Sequence, residues 1–249
     1  MYTDSHCHIT CDDLYTRIDE VLDHMKHVSH AMIMCTNEEE FKRALPIKEK
    51  NPKFKIAWGW FPGDAKEINE SHFQKLEAAI TLNQVDCIGE IGLDYHWDQS
   101  FNDRQKEVFI RQIQIANQAN LPISIHMRDA TKDCLEILKD YAQTKIIFHC
   151  FSGSLETLKT CLSMNSFISL AGPVTFKNAK KAKRIAIHCP IDRLLTETDS
   201  PYMCPEPYRG RQNEPMYVEY ITKKICELKE VDESLLTSQI SMNFSSLFD

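Results

Sequence analysis

The chain begins MYTDSHCHITCDD, which puts His6 and His8 one residue apart just behind Asp4. On a helix the two imidazoles would point about 200° apart and could not grip one ion. On a β-strand, side chains alternate with a period of 2, so Asp4, His6 and His8 share one face and Ser5, Cys7 and Ile9 the other. The stretch therefore reads as a metal-binding end of a strand. Further along, Glu90 lies in IGEIGLDY, His126 in SIHMRDA, His149 in IIFHCFSG and Asp199 in TETDSPY. Glu90 and Asp199 stand in or after apolar runs, and a buried carboxylate is costly unless paired or coordinated. Four imidazoles and two carboxylates are what two divalent ions need if one carboxylate bridges them.

Such residues must be brought together by the elements that carry them. Apolar stretches at 2–8, 30–36, 54–61, 85–93, 122–127, 145–151, 167–172 and 193–199 read as eight strands. Between them run segments of helical period, such as Ile18, Val21, Leu22, Met25 and Val28, then Phe109, Ile113 and Ala116, and finally Val218, Ile221, Ile225 and Leu228. Asn37 with Glu40 three residues later resembles a capping box. The alternation, with no linker or repeat, predicts an α/β fold: one (β/α)8 TIM-barrel domain over residues 1–249, with a C-terminal helical segment. All seven glycines fall late in a predicted strand or just after one. In a parallel barrel those ends share one mouth, where active sites are built.

The other histidines do not join the set. His24, His27, His72 and His188 fall on helical segments and His30 opens a strand, whereas His96 follows the fourth strand near the mouth. Cys150 beside His149 is no nucleophile–base pair, because adjacent strand residues face opposite ways. Ser200 beside Asp199 lacks a separate His–acid couple, and GEIG is neither a P-loop nor a dinucleotide fingerprint. The net charge of −7 argues against a surface coated for nucleic acid, so a polyanion would have to be held by a local basic patch or by metal. Ten scattered cysteines without a C-x-x-C pair read as reduced thiols. No apolar run is long enough to cross a bilayer and no N-terminal signal is visible, so the expected location is cytoplasmic.

In order, DSHCH, GEIGLDY, IHMRDA, FHCFSG and TETDSPY…PYRG…NEP resemble the TatD family of metal-dependent deoxyribonucleases, from residue 4 to about 215. The closing NFSSLF is similar to that family's last segment. The resemblance implies a barrel of the metallo-dependent hydrolase group that hydrolyses DNA with two divalent ions, Mg²⁺ or Mn²⁺, with Zn²⁺ a further option. It implies that His6 and His8 bind the first ion, that Glu90 bridges both, and that His126 and His149 bind the second. Asp199 would be a ligand that also orients the attacking water and takes its proton, leaving hydroxide at the metals to attack the phosphodiester. Asp4 would support a histidine. Many members have a histidine in a G-x-H-P segment where this chain reads GWFPGDA, with Phe61 in its place.

Arg128, Lys177, Arg209 and Arg211 follow the fifth, seventh and eighth strands and are candidates to clamp phosphates. Three readings stay open. The first is a phosphodiesterase cutting DNA from its ends, on single strands or at termini, with no membrane or required protein partner. The second is a hydrolase of an amide, ester or lactone on the same dinuclear site. The third is a metal-binding barrel without catalysis.

Overall fold

The computed structural model describes residues 1–249. Its strands are β1 (Tyr2–Cys7), β2 (Val28–Cys35), β3 (Phe54–Trp58), β4 (Ile88–Asp94), β5 (Ile123–Arg128), β6 (Ile146–Phe148), β7 (Ser166–Leu170) and β8 (Leu194–Thr196). The helices are α1 (Asp12–Tyr15), α2 (Ile18–His24), α3 (Glu38–Lys50), α4 (Glu70–Thr81), α5 (Asn102–Ala119), α6 (Thr131–Tyr141), α7 (Leu155–Leu162), α8 (Lys180–His188), α9 (Val218–Lys229) and α10 (Glu233–Ser245). Every ladder is parallel and joins sequential strands, as the expected (β/α)8 barrel requires.

Two seams close the ring. Between β3 and β4 an isolated Ala57–Cys87 bridge suffices, with Trp58 N donating to Cys87 O at 3.1 Å. Between β8 and β1 the backbone of the candidate site closes the ring itself: Asp199 N donates to His6 O and His8 N to Ser200 O, both at 2.9 Å. Helix α10 covers the N-terminal ends of the strands, where Asn243 Nδ2 donates to Ile191 O and Leu194 O, each at 2.8 Å. Sixty-four buried residues form one continuous apolar core.

Three strands end three residues earlier than the apolar runs suggested. β3 stops at Trp58, β6 at Phe148 and β8 at Thr196. His149 and Asp199 therefore lie just beyond their strands. Cys150 and Asp199 have φ of +42° and +54°, and a left-handed residue turns its N–H and C=O away from the ladder. β1 is buried on both faces, so its alternation separates barrel interior from helix layer, not dry from wet.

The stripe from Ile18 to Val28 is split: α2 ends at His24, a 3₁₀ turn follows, and Val28 opens β2. Asn37 caps α3 by accepting from Glu39 N and Glu40 N. The Glu40 carboxylate, however, accepts from Thr36 N and Oγ1, one residue before the place a reciprocal box requires. A reciprocal box does form at α4, where Asn69 caps the helix and His72 returns the bond.

Two buried glutamines of α5 fix the loops above the barrel. Gln112 Oε1 accepts from Trp60 N (2.7 Å) while its Nε2 donates to Trp60 O (3.1 Å). Gln105 grips the N and O of Asp94 in the same way, at 2.9 Å each. Each such bond is worth about 1 kcal/mol, and more if one partner is left buried and alone.

Candidate metal centre

All six residues singled out by type meet at the C-terminal mouth. Glu90, on β4, sits between two pairs of histidines. Its Oε1 lies 2.7 Å from His126 Nδ1 and 2.9 Å from His149 Nε2. Its Oε2 lies 3.6 Å from His6 Nε2 and 3.7 Å from His8 Nε2. Asp199 Oδ1 stands 3.5 Å from each of those two nitrogens, which are 3.1 Å apart.

These separations suit cations. Atoms bound about 2.0–2.2 Å from one ion stand about 3.0–3.6 Å from one another. His6 Nε2 and His8 Nε2 face each other with two carboxylate oxygens around them, and hydrogen bonds among these four atoms cannot use all their lone pairs. The charge count agrees. Glu90, Asp94, Glu197 and Asp199 are all buried beside four imidazoles, with no lysine or arginine buried among them. Buried carboxylates with no fixed positive charge among them call for protonated imidazoles or for bound cations. Three overlapping groups have ligand geometry: His6, His8 and Glu90; Glu90, His126 and His149; and His6, His149 and Asp199.

The local electrostatics follow from the same packing. Burial opposes charge on His149, yet Glu90 and Glu197 hold its imidazole well above the usual range. Burial likewise opposes charge on His8 and His126, but Asp199 and Glu90 raise the first and Asp94 and Glu90 the second. His6 moves down, by burial and by the neighbouring His149. Burial would raise the Glu90 and Asp199 carboxyls, but the surrounding imidazoles win, leaving Glu90 well below and Asp199 below the ordinary carboxylate range. Both are therefore anionic. Asp199 lines the cavity, and its Oδ2 makes no hydrogen bond within the protein.

Three supporting residues were not foreseen. Asp94 Oδ2 lies 2.9 Å from His126 Nε2, on the side of the ring away from Glu90. Glu197 Oε1 accepts from Cys150 N at 2.7 Å and lies 3.3 Å from His149 Nδ1. Asn213 Nδ2 donates to Thr198 O (2.9 Å) and Tyr202 O (2.6 Å), bracketing the turn that carries Asp199. The acids had a signal, since Asp94 follows Glu90 by four residues in GEIGLD and Glu197 precedes Asp199 by two in TETD. Asn213 had only its place in NEP.

Asp4 does something other than support a ring. Its Oδ2 accepts from Thr198 Oγ1 (2.6 Å) and its Oδ1 from Thr198 N (2.9 Å) and His6 N (3.3 Å). It touches no imidazole and pins the β8 end to β1. Burial pushes its carboxyl up to about 8 against the pull of those bonds.

The site opens into a cavity of about 930 Å³. Arg128 lines it, with its guanidinium 5.4 Å over the ring of the exposed Trp97. Lys177, Arg209 and Arg211 do not line it; Lys181 does. Arg209 lies over Phe176 and Arg211 over Tyr208, at 4.2 and 5.5 Å, so aromatic neighbours draw both side chains elsewhere. Phe61 forms part of the wall, edge-on to His126 with ring centres 4.9 Å apart. His96 pairs with Asp129 at 2.9 Å, outside the wall. Burial pushes the Cys150 thiol well up, and Ser200 Oγ, wholly buried, is 3.0 Å from Thr198 Oγ1, so neither is an activated nucleophile.

A parallel eight-stranded barrel with this histidine–carboxylate centre at its mouth defines a metal-dependent hydrolase. A family model described as TatD related DNase matches residues 3–249, and the chain belongs to that family. It is 41% identical over 252 residues to the "uncharacterized metal-dependent hydrolase YabD" of Bacillus subtilis, covering 100% of this chain and 99% of that protein. It is 32% identical to the "uncharacterized metal-dependent hydrolase YcfH" of Escherichia coli K12, covering 98% and 94%. Among solved structures it resembles the TatD homologue YjjV of Escherichia coli K12, with a TM-score of 0.92 and 26% identity over 99% of this chain and 97% of that one.

Proposed function

We propose that the protein is a divalent-metal-dependent deoxyribonuclease that cleaves phosphodiester bonds at or near DNA ends, working on single strands in the cytoplasm. One observation carries the reading: Glu90 divides its two oxygens between two histidine pairs on the floor of an open cavity. His6, His8, Glu90 and Asp199 would hold one ion, and Glu90, His126 and His149 the other. Mg²⁺ or Mn²⁺ bound there would acidify water and neutralise charge on phosphoryl oxygens.

The chain's own residues do the rest. Asp199, anionic and with Oδ2 free, accepts a hydrogen bond from incoming water and orients it for attack. Arg128 and Lys181 offer the cavity's two cations to non-bridging oxygens of the substrate. Phe61 supplies an apolar edge beside His126, where a histidine would supply a donor. Ten free cysteines suit a reducing compartment, and no helix is long and apolar enough to cross a membrane.

A second reading has its own support. Half of the 24 residues lining the cavity are apolar, among them Phe151, Leu170 and Val174, which suits a small ester, amide or lactone. One assay separates the two. Protein stripped of metal and reloaded with Mg²⁺ or Mn²⁺ is offered single-stranded DNA, duplex DNA, RNA and a carboxylic ester. Nucleotide release lost in Glu90→Ala and Asp199→Ala is the expected result. Inert DNA with ester turnover overturns the nuclease reading in favour of the second.

A further inference from the structure

The chain carries a net charge of −7, yet the segment KNAKKAKR (177–184) holds five cations and no acid. Lys177, Lys180, Lys181 and Arg184 are exposed and Lys183 is half-buried. None of the five forms an ion pair; elsewhere some lysines pair, as Lys26 does with Asp23 and Lys224 with Glu227, and unpaired ones such as Lys139 and Lys159 stand singly along the chain. Lys183 Nζ instead donates to Lys177 O at 3.0 Å, tying the start of α8 to the loop before it. Like charges left together on one surface repel one another, so the cluster costs stability unless an anion occupies it.

The cluster also has a place to put an anion. Lys180, Lys181 and Arg184 form one wall of a groove of about 380 Å³, with Ser154 and Glu156 at the start of α7 on the other side. Glu156 is the groove's only acid, against three cations. Lys181 lines both this groove and the catalytic cavity, so the two adjoin along α8. Lys180 and Arg184 lie one helical turn apart, about 6 Å along the axis. A chain of phosphates leaving the metal centre past Lys181 would meet them next.

We propose that this face of α8 is a track for the backbone of single-stranded DNA, holding phosphates beyond the bond placed at the metal centre. The proposal rests on the phosphodiesterase reading above. It reconciles an acidic protein with a polyanionic substrate: attraction is confined to one strip beside the mouth.

The test is fluorescence anisotropy of a labelled twelve-nucleotide single strand, titrated with protein at several salt concentrations without added divalent ion. The variants are Lys180→Ala/Arg184→Ala and, as a control, Lys50→Ala/Lys53→Ala. The control pair is exposed at the opposite end of the barrel, before β3, and loses the same charge. The α8 variant should bind about tenfold more weakly and its salt slope should flatten by about 1.4, two contacts at roughly 0.7 each. The control should change affinity less than twofold. Equal weakening in both variants, or an unchanged slope in the first, overturns the track. With Mg²⁺ present, the KM penalty of the α8 variant should grow with length from a dinucleotide to the twelve-nucleotide strand. Cleavage with an unaltered KM sinks the track and leaves the nuclease standing. α8-dependent binding without any cleavage supports the track and sinks the nuclease.

Discussion

Asp94 holds His126 from behind: its Oδ2 is 2.9 Å from Nε2, while Nδ1 on the opposite edge of the ring is 2.7 Å from Glu90 Oε1. Glu197 stands behind His149 less directly, with Oε1 3.3 Å from Nδ1 but no hydrogen bond between them. Carboxylates placed this way fix the tautomer and the tilt of a ligand imidazole, and their loss typically weakens metal binding by about 10–100-fold. Asp94→Asn and Glu197→Gln should each show that drop in Mn²⁺ affinity by titration calorimetry, with unchanged circular dichroism. Affinities within twofold of wild type would mean that the rings are held by packing alone.

Asn213 governs Asp199 at one remove. Its amide ties down both flanks of the left-handed turn, and its Oδ1 accepts from Glu214 N at 3.0 Å. Glu214 is itself anchored by Arg17 (2.7 Å) and His24 (2.8 Å). Asn213→Ala strands buried carbonyls at about 1–3 kcal/mol and loosens the turn. The expected kinetic signature is a kcat reduced at least tenfold with KM little changed, beside a lower urea midpoint. A variant that is less stable yet keeps full kcat would show that the turn holds its shape without the amide.

Protons and metal ions compete for this centre, and the signs can be stated. Without ions, His149 is raised well above an ordinary imidazole, so its charge stabilises the fold fully below about pH 6.5 and that contribution is lost as pH rises through the elevated value. Glu90 is depressed, so its contribution is present above about pH 4.3 and is lost as pH falls through the lowered value. Ion binding needs neutral imidazoles and so releases protons. Chelator-treated protein should therefore lose melting temperature from pH 6 to pH 9, while the rise on adding Mn²⁺ should be larger at pH 8 than at pH 6. Thermal scans in matched buffers measure both; an ion-induced rise independent of pH would contradict the scheme.

Gly92 lies where β4 passes β5. With φ of +144°, a Cβ there would stand 2.0 Å from His126 O, so the strands would have to part. Gly92→Ala should cost about 3 kcal/mol or more, lowering the melting temperature by roughly 6–12 °C. Because the contact is with the backbone of His126, metal affinity should fall as well. A fully stable variant would show that β4 can shift without loss.

Much of this architecture was legible before any coordinates. The eight apolar runs are eight strands, because parallel strands buried on both faces must be apolar throughout. The gathering of the six histidines and carboxylates was legible too, because the ends of parallel barrel strands meet at one mouth. The supporting network was not. Gln105, Gln112 and Asn213 are ordinary polar residues in sequence, and only burial against a particular backbone gives them a task. The role expected for Asp4 failed for the same reason: period-2 alternation sets its face but not its partner, which proved to be Thr198, 194 residues away. The phosphate candidates Lys177, Arg209 and Arg211 were chosen by nearness to strand ends, yet the path of a loop decides where a long side chain lies.

Residue type and spacing alone determined the barrel, its mouth and the six donors, since periodicity and the cost of burying charge are local properties written along the chain. Tertiary structure decided which oxygen of Glu90 meets which imidazole, which acids stand behind the rings, and that Lys181 joins the cavity to the α8 groove. Those facts depend on distances between segments far apart in sequence, and such distances exist only once the ring has closed.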